Sequence, residues 1–147
     1  MHKFLNRFTL LAIGALCFGM TSVGGSNRSV QAITFAKILD LNAPIPGRPG
    51  ETFGTYRLAS TDGTTVVFIG VATFGTNTSG IYTMPIAGGP VTKIADNFTA
   101  APGGGGNFSS FALIQVAPFV SNGKVTFYGT LATAGAAGIY SAPATGG

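Results

Sequence analysis

An all-β fold of two four-stranded antiparallel sheets is what this 147-residue sequence predicts, with a small β-sandwich or barrel as the alternative. Three observations carry the prediction. Short runs rich in β-branched and aromatic residues are separated by turn residues, with no 3.6-residue apolar period. Asp62-Gly63 and Asn122-Gly123 are dipeptides suited to the positive φ angles of a type I′ hairpin turn. Twenty-three glycines and eight prolines interrupt the chain too often for a long helix.

Residues 1–32 stand apart from that fold. Lys3 and Arg7 form a basic start, Phe8 to Met20 an apolar run of 13 residues, and Val30-Gln31-Ala32 a cleavage-type ending. This is the pattern of a secretory signal peptide cut before Ile33, so a secreted or periplasmic location is expected. Thirteen residues of helix rise ~20 Å, short of the ~30 Å hydrocarbon core, so no membrane span is expected after cleavage. A retained anchor is the alternative. His2 and Cys17 leave with the leader, and residues 33–147 contain neither type. Disulfides, imidazole or thiolate metal sites, and Cys-His or Ser-His-Asp catalysis are thereby excluded from the mature chain. No cofactor and no metal are expected, and the chain reads as a non-enzyme. Lys3, Arg7 and Arg28 also depart, which lowers the net charge from +4 to +1. Five scattered basic residues (Lys37, Arg48, Arg57, Lys93, Lys124) leave no footprint for nucleic acid.

The mature halves align as two units, 33–89 and 90–147. Lys37-Ile38-Leu39-Asp40 matches Lys93-Ile94-Ala95-Asp96, and Pro46-Gly47 with Gly50 matches Pro102-Gly103 with Gly106. Asp62-Gly63 and Val66-Val67-Phe68 match Asn122-Gly123 and Val125-Thr126-Phe127. Gly80-Ile81-Tyr82 and Gly88-Gly89 match Gly138-Ile139-Tyr140 and Gly146-Gly147. The offset drifts from 56 to 60 and back to 58, as small loop insertions would make it.

The strands are expected in this order. Phe35–Leu39 is bounded by Asp40, and Phe53–Ala59 runs toward the Asp62-Gly63 turn. Thr65–Ala72 is apolar on both alternating faces, so it is expected to be covered on both sides. Gly80–Met84 ends at Pro85. The second unit repeats these as Val91–Ala95, Phe111–Ala117, Lys124–Leu131 and Gly138–Ala142. Small four-stranded sheets covered on both faces by their neighbours are what β-propeller blades require, although rings need about four to eight of them.

The run from Asn122 to Phe127, a loop, then Gly138-Ile139-Tyr140 and Gly146-Gly147 resembles the TolB-like, WD-type β-propeller repeat. The stretch from Asp62 to Gly89 is similar, and the longer unit with Pro44–Gly47 resembles uncharacterised secreted repeat proteins of cyanobacterial type. The resemblance implies two propeller-type blades, a fragment of or a subunit for a larger propeller. It also implies an interaction scaffold whose partner is an unknown protein or polysaccharide, with a homo-oligomer as one route to a full ring. The tryptophan common in such repeats is absent, and the unit exceeds the usual ~40–45 residues.

Four carboxylates remain for chemistry. Asp40 and Asp96, equivalent in the repeat, read as turn formers bonding their own backbone, with a calcium ligand near Asn42 or Asn97 as the alternative. Asp62 reads as structural because its counterpart, Asn122, cannot ionise. Glu51 reads as a solvated loop residue; a polysaccharide hydrolase or lyase would need it paired with a second carboxylate. Gly103 to Gly106 lacks the lysine and hydroxyl residue of a phosphate loop. Tyr82 and Tyr140 read as core residues rather than a sugar-stacking surface. The binding candidates are therefore the least apolar loop residues: Arg48, Glu51 and Arg57.

Overall fold

The computed structural model describes residues 32, 34–73, 78–111, 116–133 and 135–147; of the expected signal segment 1–32, residues 1–31 lie outside the described residues. The compact unit is Phe35–Gly147, and it is all-β. The first sheet is an antiparallel meander of β1 (Phe53–Thr61), β2 (Thr65–Ala72), β3 (Ser79–Pro85) and β4 (Thr92–Asp96). The second holds β5 (Phe108–Ser110), β6 (Phe119–Ser121), β7 (Lys124–Leu131) and β8 (Ala137–Pro143). Both sheets are open; neither closes into a barrel.

Each hairpin follows from its turn. Asn122 and Gly123 both have positive φ, 49° and 70°, and Ser121 pairs directly with Lys124, which is the two-residue I′ hairpin expected. The Asp62-Gly63 turn differs from the expectation: only Gly63 has positive φ. The Asp62 carboxylate makes the difference. Its Oδ1 accepts hydrogen bonds from the Thr64 and Thr65 amides at 3.0 and 2.8 Å and from the Thr64 hydroxyl at 2.8 Å, capping a wider loop.

The expected strand Phe35–Leu39 is absent: residues 35–40 are irregular and pair with no neighbour. The expected strand Phe111–Ala117 lies mostly outside the described residues: 112–115 are not described, and Phe111, Val116 and Ala117 lie in no strand, with β5 and β6 on either side. β8 pairs with β7 along nearly its whole length, so β5 and β6 share the opposite edge of β7, one at each end. Together they occupy the place that β1 holds beside β2. A bulge marks the same place in β1, where the pairing shifts between Arg57 and Ser60 and Leu58 takes φ 44°.

Alternation along the strands assigns two faces to the first sheet. Phe53, Phe68, Tyr82 and Met84 form one buried cluster with Ile45, to which Leu39, Ala43 and Val91 add cover. On the other face Val67, Ile69 and Ile81 join Phe108, Phe111, Val120, Val125 and Phe127 of the second sheet in a shared core. Thr83 Oγ1 donates to the Ala144 carbonyl at 2.7 Å and Ser60 Oγ to the Pro118 carbonyl at 2.6 Å, satisfying hydroxyls across that junction. β4 lies in residues 90–147, the expected second unit, yet it completes the sheet built from β1, β2 and β3.

The aromatic packing recurs. Phe53 meets Tyr82 edge-on at 4.9 Å and 85°, and Phe108 meets Tyr140 at 4.8 Å and 88°. Phe68 stacks on Tyr82 at 5.9 Å and 26°, and Phe127 on Tyr140 at 5.8 Å and 27°. Tyr56 and Phe111 supply the fourth ring of each quartet. Gly70 and Gly129 sit beneath these rings; a Cβ on Gly129 would lie 2.8 Å from Phe108. Glycine there is a packing requirement.

Candidate functional site

The four carboxylates of residues 33–147 lie in loops or at strand ends around the first sheet, and Arg48 brings two of them, Glu51 and Asp96, together. The loop from Pro44 to Thr52 is closed by an isolated bridge between those residues, with Ile45 N donating to the Glu51 carbonyl at 3.0 Å. Turn bonds from Arg48 N to the Ile45 carbonyl and from Glu51 N to the Arg48 carbonyl, both 3.1 Å, fold it back on itself. Gly47 and Gly50 take φ of 75° and 82°, a conformation that costs glycine little. This fold-back brings Arg48 within 3.7 Å of the Glu51 carboxylate and 3.7 Å of Asp96 Oδ2. The guanidinium lies 3.4 Å over the Phe98 ring, where the ring's π face attracts it.

Asp96 is the centre of the cluster. Its side chain is wholly buried at the end of β4. Oδ1 accepts from the Phe98 amide at 3.0 Å and the Thr99 hydroxyl at 2.8 Å, and Oδ2 accepts from Lys93 Nζ at 3.1 Å. Burial alone would raise its pKa, but the hydrogen bonds from Thr99, Lys93 and Phe98, together with the Lys93 charge, hold it below the ordinary carboxylate value. The Tyr82 hydroxyl is buried without a hydrogen-bond partner among the described residues. Burial, and then the negative charge of Asp96, pushes its pKa far above the usual value, so it stays protonated. Two cations and two carboxylates thus neutralise one another within a few ångströms.

Of the three binding candidates, Arg48 and Glu51 come together and Arg57 does not. Arg57 is exposed on β1, its backbone opposite Ile69, and it forms no ion pair among the described residues. Asp96 does form the turn expected of it, but its role as the buried partner of Arg48 was not legible. That contact joins residues 48 apart in sequence, and no local pattern announces it. Asp40, its repeat counterpart, is exposed and paired with Lys37 at 2.8 Å. Among the described residues no three His, Cys, Asp or Glu side chains gather as metal ligands, and no helix is long and apolar enough to cross a membrane.

A second feature is apolar. Val116, Ala117, Phe119, Thr126, Tyr128 and Ile139 line a cleft of about 230 Å³ on the second sheet, on the face turned away from the first. Phe119 is 59% exposed and Ile139 78% exposed. Ile81, which occupies the matching position in β3, is 0% exposed. A separate cleft of about 420 Å³ lies among Leu39, Pro44, Ile45, Pro90 and Val91. No protein-family model, no curated protein and no solved structure matches this chain.

Proposed function

We propose that this chain is a secreted or periplasmic, non-catalytic repeat module of β-propeller type, an interaction scaffold that is a fragment of or a subunit for a larger propeller. The observation that carries the reading is the contrast between equivalent faces. The side of the first sheet holding Val67, Ile69 and Ile81 is buried against the second sheet, whereas the same side of the second sheet leaves Phe119 and Ile139 open. Large exposed apolar groups gathered at one cleft mark a surface that associates. The charged cluster supports the same reading, because Arg48, Lys93 and Asp96 are engaged with one another in bracing a loop.

The test is binding to an extracytoplasmic extract by the full chain and by Phe119→Asp, run beside a polysaccharide-turnover assay of the full chain and Glu51→Gln. Retention that depends on Phe119, with no turnover, is expected. Polysaccharide cleavage that disappears in Glu51→Gln would overturn the scaffold reading in favour of a carboxylate-dependent hydrolase or lyase.

A further inference from the structure

We infer that the outer edge of β8 takes residues 36–40 of a second copy of this chain as its fourth strand, a head-to-tail contact that rests on the scaffold reading above and names its partner. β3 and β8 are equivalent strands with unequal surroundings. β3 is flanked by β2 and β4, whereas β8 pairs with β7 alone among the described residues. Its other edge therefore presents backbone N–H and C=O groups with no strand to meet them, which is a template for pairing.

The segment that covers β3 is Thr92-Lys93-Ile94-Ala95-Asp96, and the chain carries a second version of it, Ala36-Lys37-Ile38-Leu39-Asp40. The second version forms no strand, yet it shares with the first its ion pair and the turn that follows it. Each has a lysine–aspartate pair three residues apart, at 2.8 Å for Lys37 and Asp40 and 3.1 Å for Lys93 and Asp96. Each ends in a turn, with Ala43 N bonding the Asp40 carbonyl at 3.4 Å and Thr99 N the Asp96 carbonyl at 2.9 Å. Each is followed by an isolated bridge, Pro44 with Thr52 and Ala100 with Asn107. Each is then tied to the next strand, Phe53 N to the Ala43 carbonyl at 2.9 Å and Phe108 N to the Thr99 carbonyl at 3.1 Å. Leu39 rests on the aromatic cluster of the first sheet as Ala95 rests on that of the second. The strand on the far side differs: Asp96 and Ala95 pair with β3, while residues 36–40 pair with no strand among the described residues and Phe35 is 93% exposed.

The segment cannot serve its own β8. Leu39 lies on the face of the first sheet that carries Phe68 and Tyr82, and the second sheet covers the opposite face. Two copies satisfy both ends at once. The register follows from β3 and β4, where Gly80 meets Asp96, Ile81 meets Ala95, Tyr82 meets Lys93 and Thr83 meets Thr92. By equivalence Gly138 meets Asp40, Ile139 meets Leu39, Tyr140 meets Lys37 and Ser141 meets Ala36 of the second copy, with Ile38 at the bulge. The same contact brings the first sheet of the second copy against the open cleft at Phe119. A contact of this head-to-tail kind repeats until it closes a ring or extends as a filament.

Single variants Leu39→Cys and Ile139→Cys, each in the full chain with Cys17→Ser, are mixed and treated with a short bis-maleimide. Cross-linked pairs are expected in the mixture, and far fewer when Thr64→Cys, in the exposed β1–β2 turn, replaces Ile139→Cys. Light scattering of the unmodified chain should give whole-number multiples of one chain, falling to one in Ile139→Asp with an unchanged circular dichroism spectrum. A single-chain mass at every concentration, or cross-linking no stronger than the Thr64→Cys control, overturns the inference and leaves the binding assay at Phe119 unaffected. A chain that stays single yet binds a peptide of residues 34–41 at β8 also overturns it, because the strand would then come from elsewhere. Loss of the scaffold reading by Glu51-dependent turnover would leave the cross-link itself unchanged.

Discussion

At the residue scale Asp96 and Tyr82 show how one buried pocket treats two polar groups oppositely. Asp96 is satisfied on both oxygens and its pKa is lowered in the fold. A lowered carboxylate pKa stabilises the folded chain above the unfolded value, ~4, and that stabilisation is lost as pH falls through the folded value. Asp96→Asn keeps an acceptor for Phe98 and Thr99 but turns an amide toward Lys93 and Arg48. Because Lys93 is partly exposed, the cost expected near pH 7 is about 1–3 kcal/mol, in the range of hydrogen bonds to charged groups. Urea midpoints for wild type and Asp96→Asn should differ most at pH 7, with the gap narrowing as pH falls below ~4 toward the lowered folded value; a gap that does not change with pH would show that the charge is irrelevant. The Tyr82 hydroxyl has no partner among the described residues, so removing it relieves a desolvated group and leaves the ring stack on Phe68 in place. Tyr82→Phe is expected to be neutral or to raise the midpoint, by up to about 1 kcal/mol, and a clear loss of stability would reveal a bond to the hydroxyl.

At the element scale the equivalent strands β3 and β8 differ because one has neighbours on every side. Ile81→Ala should cost about 2–5 kcal/mol, the range for truncating a buried isoleucine. Ile139→Ala, at a position 78% exposed, should change the stability of a single chain by about 0.5 kcal/mol or less. Denaturation of both variants at low protein concentration checks the pair, and equal losses would mean that β8 is buried in the isolated chain. The same comparison explains what was legible in the sequence. β2 and β7 were readable because β-branched and aromatic residues are continuous in them, and the Asn122-Gly123 turn because both residues accept positive φ. Residues 35–39 have the composition of a strand but no partner edge within reach, and composition cannot supply one. The short length of β5 was hidden for a related reason: Phe111, just beyond it, turns into the shared core with Phe108 and Phe127 instead of continuing the strand. Arg48 and Glu51 were found as polar loop residues. Asp96 was readable as a turn former but not as the buried partner of Arg48, since only tertiary folding brings the two near.

At the scale of the whole unit the two sheets share one core, so they are expected to lose structure together. Val67, Ile69 and Ile81 from the first sheet and Val120, Val125 and Phe127 from the second are buried in one cluster, to which β4 of the first sheet adds Ile94 and Ala95. A cavity on one side of that junction removes contacts from both sides, because packed interiors transmit such a loss directly to the neighbours. Val67→Ala deletes apolar volume at a position 0% exposed, and the expected cost is about 1–3 kcal/mol. Backbone hydrogen exchange should then rise by a common factor in β2 and β3 and also in β7, where Val67 has no backbone partner. At 25 °C a loss of 1.4 kcal/mol corresponds to a tenfold acceleration of exchange through global opening. Acceleration confined to β1–β4 would instead show that each sheet opens alone, and that the core joining them holds two independent units in contact.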